Sequence, residues 1–344
     1  MFGFFQPKKS ENRLRQERLQ EESRRALEAG GIPKIAEERL KNHIASGSKF
    51  FTSDLTSREF LLAKDQNLVP IGQVMGSSFY NINFWNSLFR VRLSTGEMKA
   101  VSSALLDARK LAMQRLLQEA NLLNASGVIG VKIQAGKRLG SDSLREFTAI
   151  GTAVKIPGWK HEPFLCDLNG QEFWQLYSAG YRPVDIAFGV CSYYMYQDWK
   201  TNRQMYQWWG GTNFRNQEID LFTQGFYNAR EIAMQRLERD MNESLADGLV
   251  GAEIEYEWER IETSDNSQAW DLIVHFTALG TGIVQDPELI EQAKAPTRPK
   301  FCINLKGTNM APQRSSRMNE LKSQSLENIQ DEYMRMMNLE AREE

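Results

Sequence analysis

ARKLAMQRL, Ala108–Leu116, and AREIAMQRL, Ala229–Leu237, share seven of their nine letters. The likeness extends outward in three collinear blocks. Set Phe51 against Phe164, an offset of 113, and FTSDL meets FLCDL; Glu59-Phe60 meets Glu172-Phe173, and Pro70, Gly76 and Tyr80 meet Pro183, Gly189 and Tyr193. Set Ala108 against Ala229, an offset of 121, and the match continues through Asn121/Asn242, Ala125/Ala246, Gly127/Gly248 and Gly130/Gly251. Set Phe147 against Phe276, an offset of 129, and FTAIGTAV meets FTALGTGI. The offset grows by eight twice, so the second copy carries two eight-residue insertions. Such a pattern is a tandem duplication, and a repeat decides the fold before any other signal is weighed. Copy one is taken as 51–160 and copy two as 161–286.

The matched residues have physical reasons. Thr56-Ser-Arg-Glu59 reads as a capping box, in which a hydroxyl and a glutamate satisfy each other's backbone amides; Asn169-Gly-Gln-Glu172 is its partner. Each short helix then runs to Asn67 or Gly180, residue types that tolerate a left-handed stop. VPIGQVMGSSFY and RPVDIAFGVCSYY are rich in β-branched and aromatic residues and read as strands. Gly76 and Gly189 inside them indicate a bulge or a close backbone approach. In the long helix, Leu105, Ala108, Ala112, Leu116 and Ala120 share one face at about 100° per residue, as do Phe226, Ala229, Ala233, Leu237 and Met241. Small alanines there let the axis sit close to a sheet. Arg115 and Glu119, like Arg236 and Asp240, are spaced to pair along the helix. Gly127 and Gly248 fit the helix stop. EFTAIGTAVKI and DLIVHFTALGTGIV supply the last strand. Each copy is therefore helix, strand, helix, strand, strand: an α+β unit with one sheet and the long helix packed on one face. Helical N- and C-terminal extensions complete the chain.

PIGQVMGSSFY, ARxxAMQRL, ASGVIGVKI and EFTAIGTAVK, in that order, resemble the YbjQ-like domain. The resemblance covers both copies, about two thirds of the chain, and copy two departs from it where Val190-Cys191 stands for Ser77-Ser78 and Gly282 for Ala153. It implies a small α+β fold that assembles into homo-oligomeric rings. It also brings the family's label, a heavy-metal-binding domain.

Bulk composition sets outer limits. The 344 residues suffice for two ordinary domains, and 41% apolar with 25% charged residues is the balance of a globular protein. A net charge of −2 gives no footprint for nucleic acid. Three scattered cysteines form no disulfide framework, so a reducing, cytoplasmic setting is expected. No apolar run is long enough for a transmembrane helix. MFGFFQPKK lacks the apolar core of a secretory signal. Phe2, Phe4 and Phe5 beside Lys8 and Lys9 could touch a membrane surface; a docking tag or free terminus is the plainer reading.

The metal label finds little support in the residues. A zinc site wants three or four Cys or His ligands at tight spacing. The chain has His43, His161 and His275 with Cys166, Cys191 and Cys302, and only His161 and Cys166 are close in sequence. Cys191 and His275 both fall on expected strands of copy two and could meet in space. A buried thiol beside an ordinary strand histidine is the simpler account. No metal ligand and no cofactor is assigned. No GxSxG, HExxH, Walker loop or strand-borne GxGxxG is present, so no catalytic residue is assigned and an enzyme is not expected.

The unrepeated parts suit contacts. Residues 10–45 are dense in Glu and Arg, and Gly30-Gly31 and Pro33 break them; such a helix bridges solvent, pairs with a neighbour or frays. The insert QDWKTNRQMYQWWGGTNFRNQ crowds Trp199, Tyr206, Trp208, Trp209 and Phe214. Stacking of bases or sugars is conceivable chemically, but aromatics beside Arg more often anchor a protein interface. From Ser315, Met318, Leu321, Ile329, Tyr333 and Met336 mark an amphipathic helix that would dock on the body or on a protein partner, after a linker in which FCINLKG could add an edge strand. Gln114 and Gln235 agree between copies yet lie about 180° from the sheet-packing face. With Trp199, Trp208 and Trp209 they are the candidate oligomer-interface residues. The sequence thus points to a non-enzymatic, homo-oligomeric ring- or cage-like assembly protein. The alternative is a metal- or small-ligand-binding accessory protein.

Overall fold

The computed structural model describes residues 11–47, 51–65, 68–82, 94–136, 144–201, 218–262 and 270–292. The phenylalanines near the start, Asn67, Trp208, Trp209, FCINLKG and the expected C-terminal helix lie outside the described residues.

The chain opens with α1 (Glu11–Glu28) and α2 (Lys34–Ala45). Gly30, in the left-handed region at φ +80, and Pro33, the residue before α2, separate them as the sequence suggests. Of the three fates open to this polar segment, pairing with a neighbour is the one observed. The hairpin docks on α4 (Lys99–Leu122), where Leu40 is buried and Arg115 donates to the Gly31 carbonyl at 3.0 Å and the Leu27 carbonyl at 3.3 Å.

Two α+β units follow. The first holds α3 (Ser57–Asp65), β1 (Val69–Asn81), β2 (Gly96–Glu97), α4, β3 (Gly127–Gly136) and β4 (Leu144–Lys155). The second holds β5 (Phe164–Leu165), α5 (Gly170–Ser178), β6 (Tyr181–Met195), α6 (Asp220–Glu243), β7 (Gly248–Glu262) and β8 (Trp270–Gln285), before a short α7 (Pro287–Gln292). Sheet A has strand order β1-β4-β3-β5, and sheet B has β2-β6-β8-β7. The α+β class is thus the observed one. Irregularities recur at matched places: the register shifts after Pro70 and after Pro183, and again between Ile129 and Lys132 and between Val250 and Glu253. Gly130 (φ +62) and Gly251 (φ +66) form the latter pair of kinks, where a left-handed residue is needed.

The strand glycines serve close approach. A side chain on Gly76 would collide with the Ala112 carbonyl, and one on Gly189 with the Ala233 carbonyl. The alanine stripes and these glycines are therefore one device that seats each long helix on its own sheet. Both capping boxes form: Thr56 with Glu59, and Asn169 with Glu172. Two expectations fail. The helix stops are Asn124 (φ 54) and Leu245 (φ 55), not Gly127 and Gly248, which open strands. Nor do the i, i+4 charges pair along their helices. Arg115 turns to the hairpin and to the Ser77 carbonyl (2.6 Å), while Glu119 accepts from the Met75 amide (3.0 Å) and meets Arg39 (3.5 Å). Backbone groups at the edge of β1 that pairs with no described strand attract these side chains more strongly than an exposed helical ion pair, whose gain is a few tenths of a kcal/mol. The same logic takes Arg236 to the Val190 carbonyl and Asp240 to the Phe188 amide.

The layers run sheet A, α4, sheet B, α6. One continuous core joins Val74 and Ala149 of sheet A, Met113 and Leu116 of α4, and Ile186, Phe188 and Leu279 of sheet B. The helix predicted to pack on one face is thus buried on two. Its repeat counterpart α6 buries only Gly225, Ala229, Ala233 and Leu237.

Candidate functional site

The chemistry of this chain concentrates where its two repeats meet. Each repeat lends the other a two-residue strand. Phe164-Leu165, in β5, runs parallel to Gly127-Val128 at the edge of sheet A. Gly96-Glu97, in β2, runs antiparallel to Tyr193-Tyr194 at the edge of sheet B. Flanking backbone bonds extend both joins: the Cys166 amide donates to the Val128 carbonyl (2.9 Å), the Val131 amide to the Cys166 carbonyl (3.0 Å), and the Met98 amide to the Ser192 carbonyl (2.8 Å).

Side chains lock these edges. The Phe164 ring lies over Gly127, which leaves no room there for a Cβ, and stacks on Phe173 at 5.5 Å between centroids. Ser102 Oγ accepts from the Ser192 amide (2.9 Å), and Glu97 meets Arg236 at 2.6 Å. Lys110 of α4 pairs with Asp240 of α6. At the centre Arg109 donates to the Thr277 Oγ1 (3.1 Å) and to the Leu105 carbonyl (3.1 Å), with its guanidinium 4.4 Å above the Phe147 ring. Burial lowers its pKa to about 10, still well above neutral, so the charge persists and is met by dipoles and a π face rather than by a hydrogen-bonded carboxylate.

Crevices follow the seam, and two of them flank its central residues. The larger, about 590 Å³, is lined by Arg109, Arg145, Glu257, Glu259, His275 and Trp258 among others. Arg145 of sheet A is ion-paired to Glu259 of sheet B across it. The smaller, about 380 Å³, is walled by Lys110, Met113, Gln114 and Leu117 on one side and by Asp185, Phe188, Asp240 and Glu243 on the other. Burial pushes the Asp185 carboxyl up to about 6.

The candidate interface residues fall apart in space. Gln114 is exposed at the rim of the smaller crevice, against the second repeat. Gln235 is exposed on α6 and donates to Glu231 (3.1 Å). Trp199 is 73% exposed. Cys191 and His275 do not converge: Cys191 pairs across strands with Phe276 and packs under α6, whereas His275 sits opposite Ser192 and takes a 2.8 Å hydrogen bond with its hydroxyl on the other face. Burial pushes both the Cys166 and Cys191 thiols up to about 12, so both are protonated near neutral pH. Among the described residues no group of three His, Cys, Asp or Glu side chains could hold a metal ion, and no helix is long and apolar enough to cross a membrane. Sequence reasoning missed Gly96-Glu97, Phe164-Leu165 and Arg109. Arg109 left a trace through its match with Arg230, and Phe164 through its match with Phe51; Gly96-Glu97 left none.

Comparison with known proteins places this architecture. A family model described as "Putative heavy-metal-binding", the YbjQ model, matches residues 64–157, in the repeat that keeps the pattern best. The encapsulin nanocompartment protein Rv1762c of Mycobacterium tuberculosis is 32% identical over 267 residues, 75% of this chain and 93% of that protein. A UPF0145 protein of Pseudothermotoga lettingae is 32% identical over 88 residues, 25% of this chain and 81% of its own length. One from Helicobacter hepaticus is 39% identical over 61 residues, 18% and 57% respectively. The long relative spans both repeats and the short ones about one. The chain therefore belongs to the YbjQ-like family and carries the domain as a tandem pair.

Proposed function

We propose that this chain is a non-enzymatic assembly protein that builds homo-oligomeric, ring- or cage-like particles from its tandem YbjQ-like domains. The observation that carries the reading is the unequal burial of two equivalent helices. Inside the chain α4 is covered on two sides, by its own sheet and by that of the next repeat. Among the described residues the equivalent α6 packs on its own sheet alone. Sheet A likewise leaves Met75 (48%) and Phe79 (58%) exposed on the face whose counterpart in sheet B lies under α4. Apolar side chains left exposed on a face whose equivalent is already packed inside the molecule suit an interface with another copy. The relative from Mycobacterium tuberculosis, named as a nanocompartment protein, supports the same reading.

The finer assignments belong to this proposal. The boundaries are 1–50 for the charged extension, 51–160 and 161–286 for the repeats, and 287–344 for the linker and amphipathic helix. Gln114, Gln235, Trp199, Trp208 and Trp209 lie on contact surfaces; the C-terminal helix docks on a protein partner, and the particle is cytoplasmic. Mass measurement in solution tests the core claim. The expected result is a discrete multiple of 39.6 kDa at micromolar concentration. A monomer throughout that range would refute it.

A further inference from the structure

Resting on the assembly reading, we infer the contact itself: the segment Phe51–Leu55 of one molecule adds to the open edge of β7 in the next, with Phe51 seated on Gly248. The seam inside the chain supplies the template. Among the described residues, each sheet has one edge completed by the other repeat and one edge left open. In sheet A the completed edge is β3 and the open one β1; in sheet B the completed edge is β6 and the open one β7. By the repeat offsets β7 is the counterpart of β3, and β1 is the counterpart of β6. The two open edges are therefore the two halves of one seam, separated onto opposite ends of the molecule. A second copy joined head to tail would close both.

The residues that would meet are present and free to do so. Phe51 is the counterpart of Phe164, and it stacks on Phe60 at 5.7 Å as Phe164 does on Phe173. The Asp54 amide donates to the Thr152 Oγ1 at 3.0 Å, as the Asp167 amide does to Thr281 at 3.0 Å. The segment already stands in its own repeat as β5 stands in the second. Among the described residues its seat is open: the nearest heavy atom to a Cβ on Gly248 is Ile283 Cγ1 at 3.9 Å, whereas Gly127 is filled by Phe164. The glycine in the second repeat thus has a purpose the lone chain does not use.

The same register predicts the rest of the seam. Arg230, exposed on α6, is the counterpart of buried Arg109 and would reach Thr148 of the next molecule, the counterpart of Thr277. Thr223, the counterpart of Ser102, would accept from the Phe79 amide, and Ile219, the counterpart of Met98, would donate to the Phe79 carbonyl. The ion pairs break the match, because Arg145 has Val274 as its counterpart and Lys110 has Glu231. At the second of these the hairpin supplies the missing charge, with Arg39 of α2 beside Glu119. The contact is heterologous, so it propagates into rings or open chains rather than stopping at a dimer.

Two variants of the full chain test this. Gly248→Ala meets only ordinary contacts in the lone molecule, and it is expected to keep the wild-type melting temperature while raising the concentration for assembly at least about 100-fold. Thr52→Cys with Leu249→Cys, on a Cys302→Ser background, is expected to give a ladder of covalent multimers on oxidation. Assembly of Gly248→Ala equal to wild type, or cross-linking absent or confined to dimers, overturns the contact. If wild-type protein assembles while either of those results holds, only the contact falls. If wild-type protein is monomeric, the assembly reading falls with it.

Discussion

Asp185 shows how the seam is tuned at single residues. Its carboxyl lies beside the smaller crevice and is held near 6 by burial, against an ordinary 3.8, with the Ile186 amide working in the opposite direction. The folded chain therefore binds this proton more tightly than the unfolded one. The stability it contributes is complete below the ordinary value and is lost as pH rises through about 6. Asp185→Asn keeps an acceptor for the amide and removes the buried charge. It should stabilise the protein by about 2 kcal/mol at pH 7.5, with the difference closing by pH 4, as read by denaturant melts at the two pH values. Gly76 tests packing rather than charge. Gly76→Ala drives a methyl into the Ala112 carbonyl, and about 3 kcal/mol of destabilisation is expected in the same assay. Gln114 and Gln235 separate in this frame. Gln114→Glu adds a charge near Asp185, Asp240 and Glu243 within the chain and should lower the melting temperature. Gln235→Glu lies on the bare face of α6 and should weaken assembly while leaving the melt in place; equal effects of both on melting would contradict the proposed interface.

At the scale of elements, the shortest pieces matter most. β5 is two residues long, yet its Phe164 is fully buried against Gly127, Phe173 and Trp159. Phe164→Ala should cost about 3–5 kcal/mol, measured by urea unfolding, because the void left between two repeats has no single sheet free to collapse into it. The long elements were readable beforehand, since alanine spacing marks α4 and α6 and β-branched runs mark β1 and β6. Gly96-Glu97 and Phe164-Leu165 were not, because two residues carry no periodicity and their partners lie about a hundred or about forty positions away. Gly127 was misread for the same reason. A glycine after a long helix resembles a stop, and only the aromatic ring from the other repeat reveals why it is a glycine. The two faces of α4 were partly visible: Arg109 matches Arg230 on a side that its own sheet does not explain. The outward glutamines drew attention there instead.

For the whole molecule, the exchange of strands makes the two domains one body. The connection between them runs past Gly158 and Lys160, both exposed, and is pinned at its far end by Lys160 with Glu288, His161 with Asp286 and Trp159 against Phe164. A chain nicked there by trypsin should remain a single species in native size-exclusion chromatography and separate into two fragments only in denaturant. Fragments that part under native conditions would show that the seam is weaker than its geometry suggests.

The pairing of β2 with β6 also dictates an order of events in synthesis. Gly96 emerges from the ribosome almost a hundred residues before Tyr194. Until then the first repeat has made its helix and most of its sheet but holds Met113 and Leu106 against water. Its sheet edge at β3 stays bare until Phe164 follows. The first domain thus cannot finish alone; it waits, partly wetted, for its twin. A slow stretch of translation between the two repeats would prolong that exposure, and a neighbouring nascent chain on the same message could offer its own Phe164 first. The duplication that makes the finished molecule one body therefore places its greatest hazard of misassembly in the seconds before it is complete.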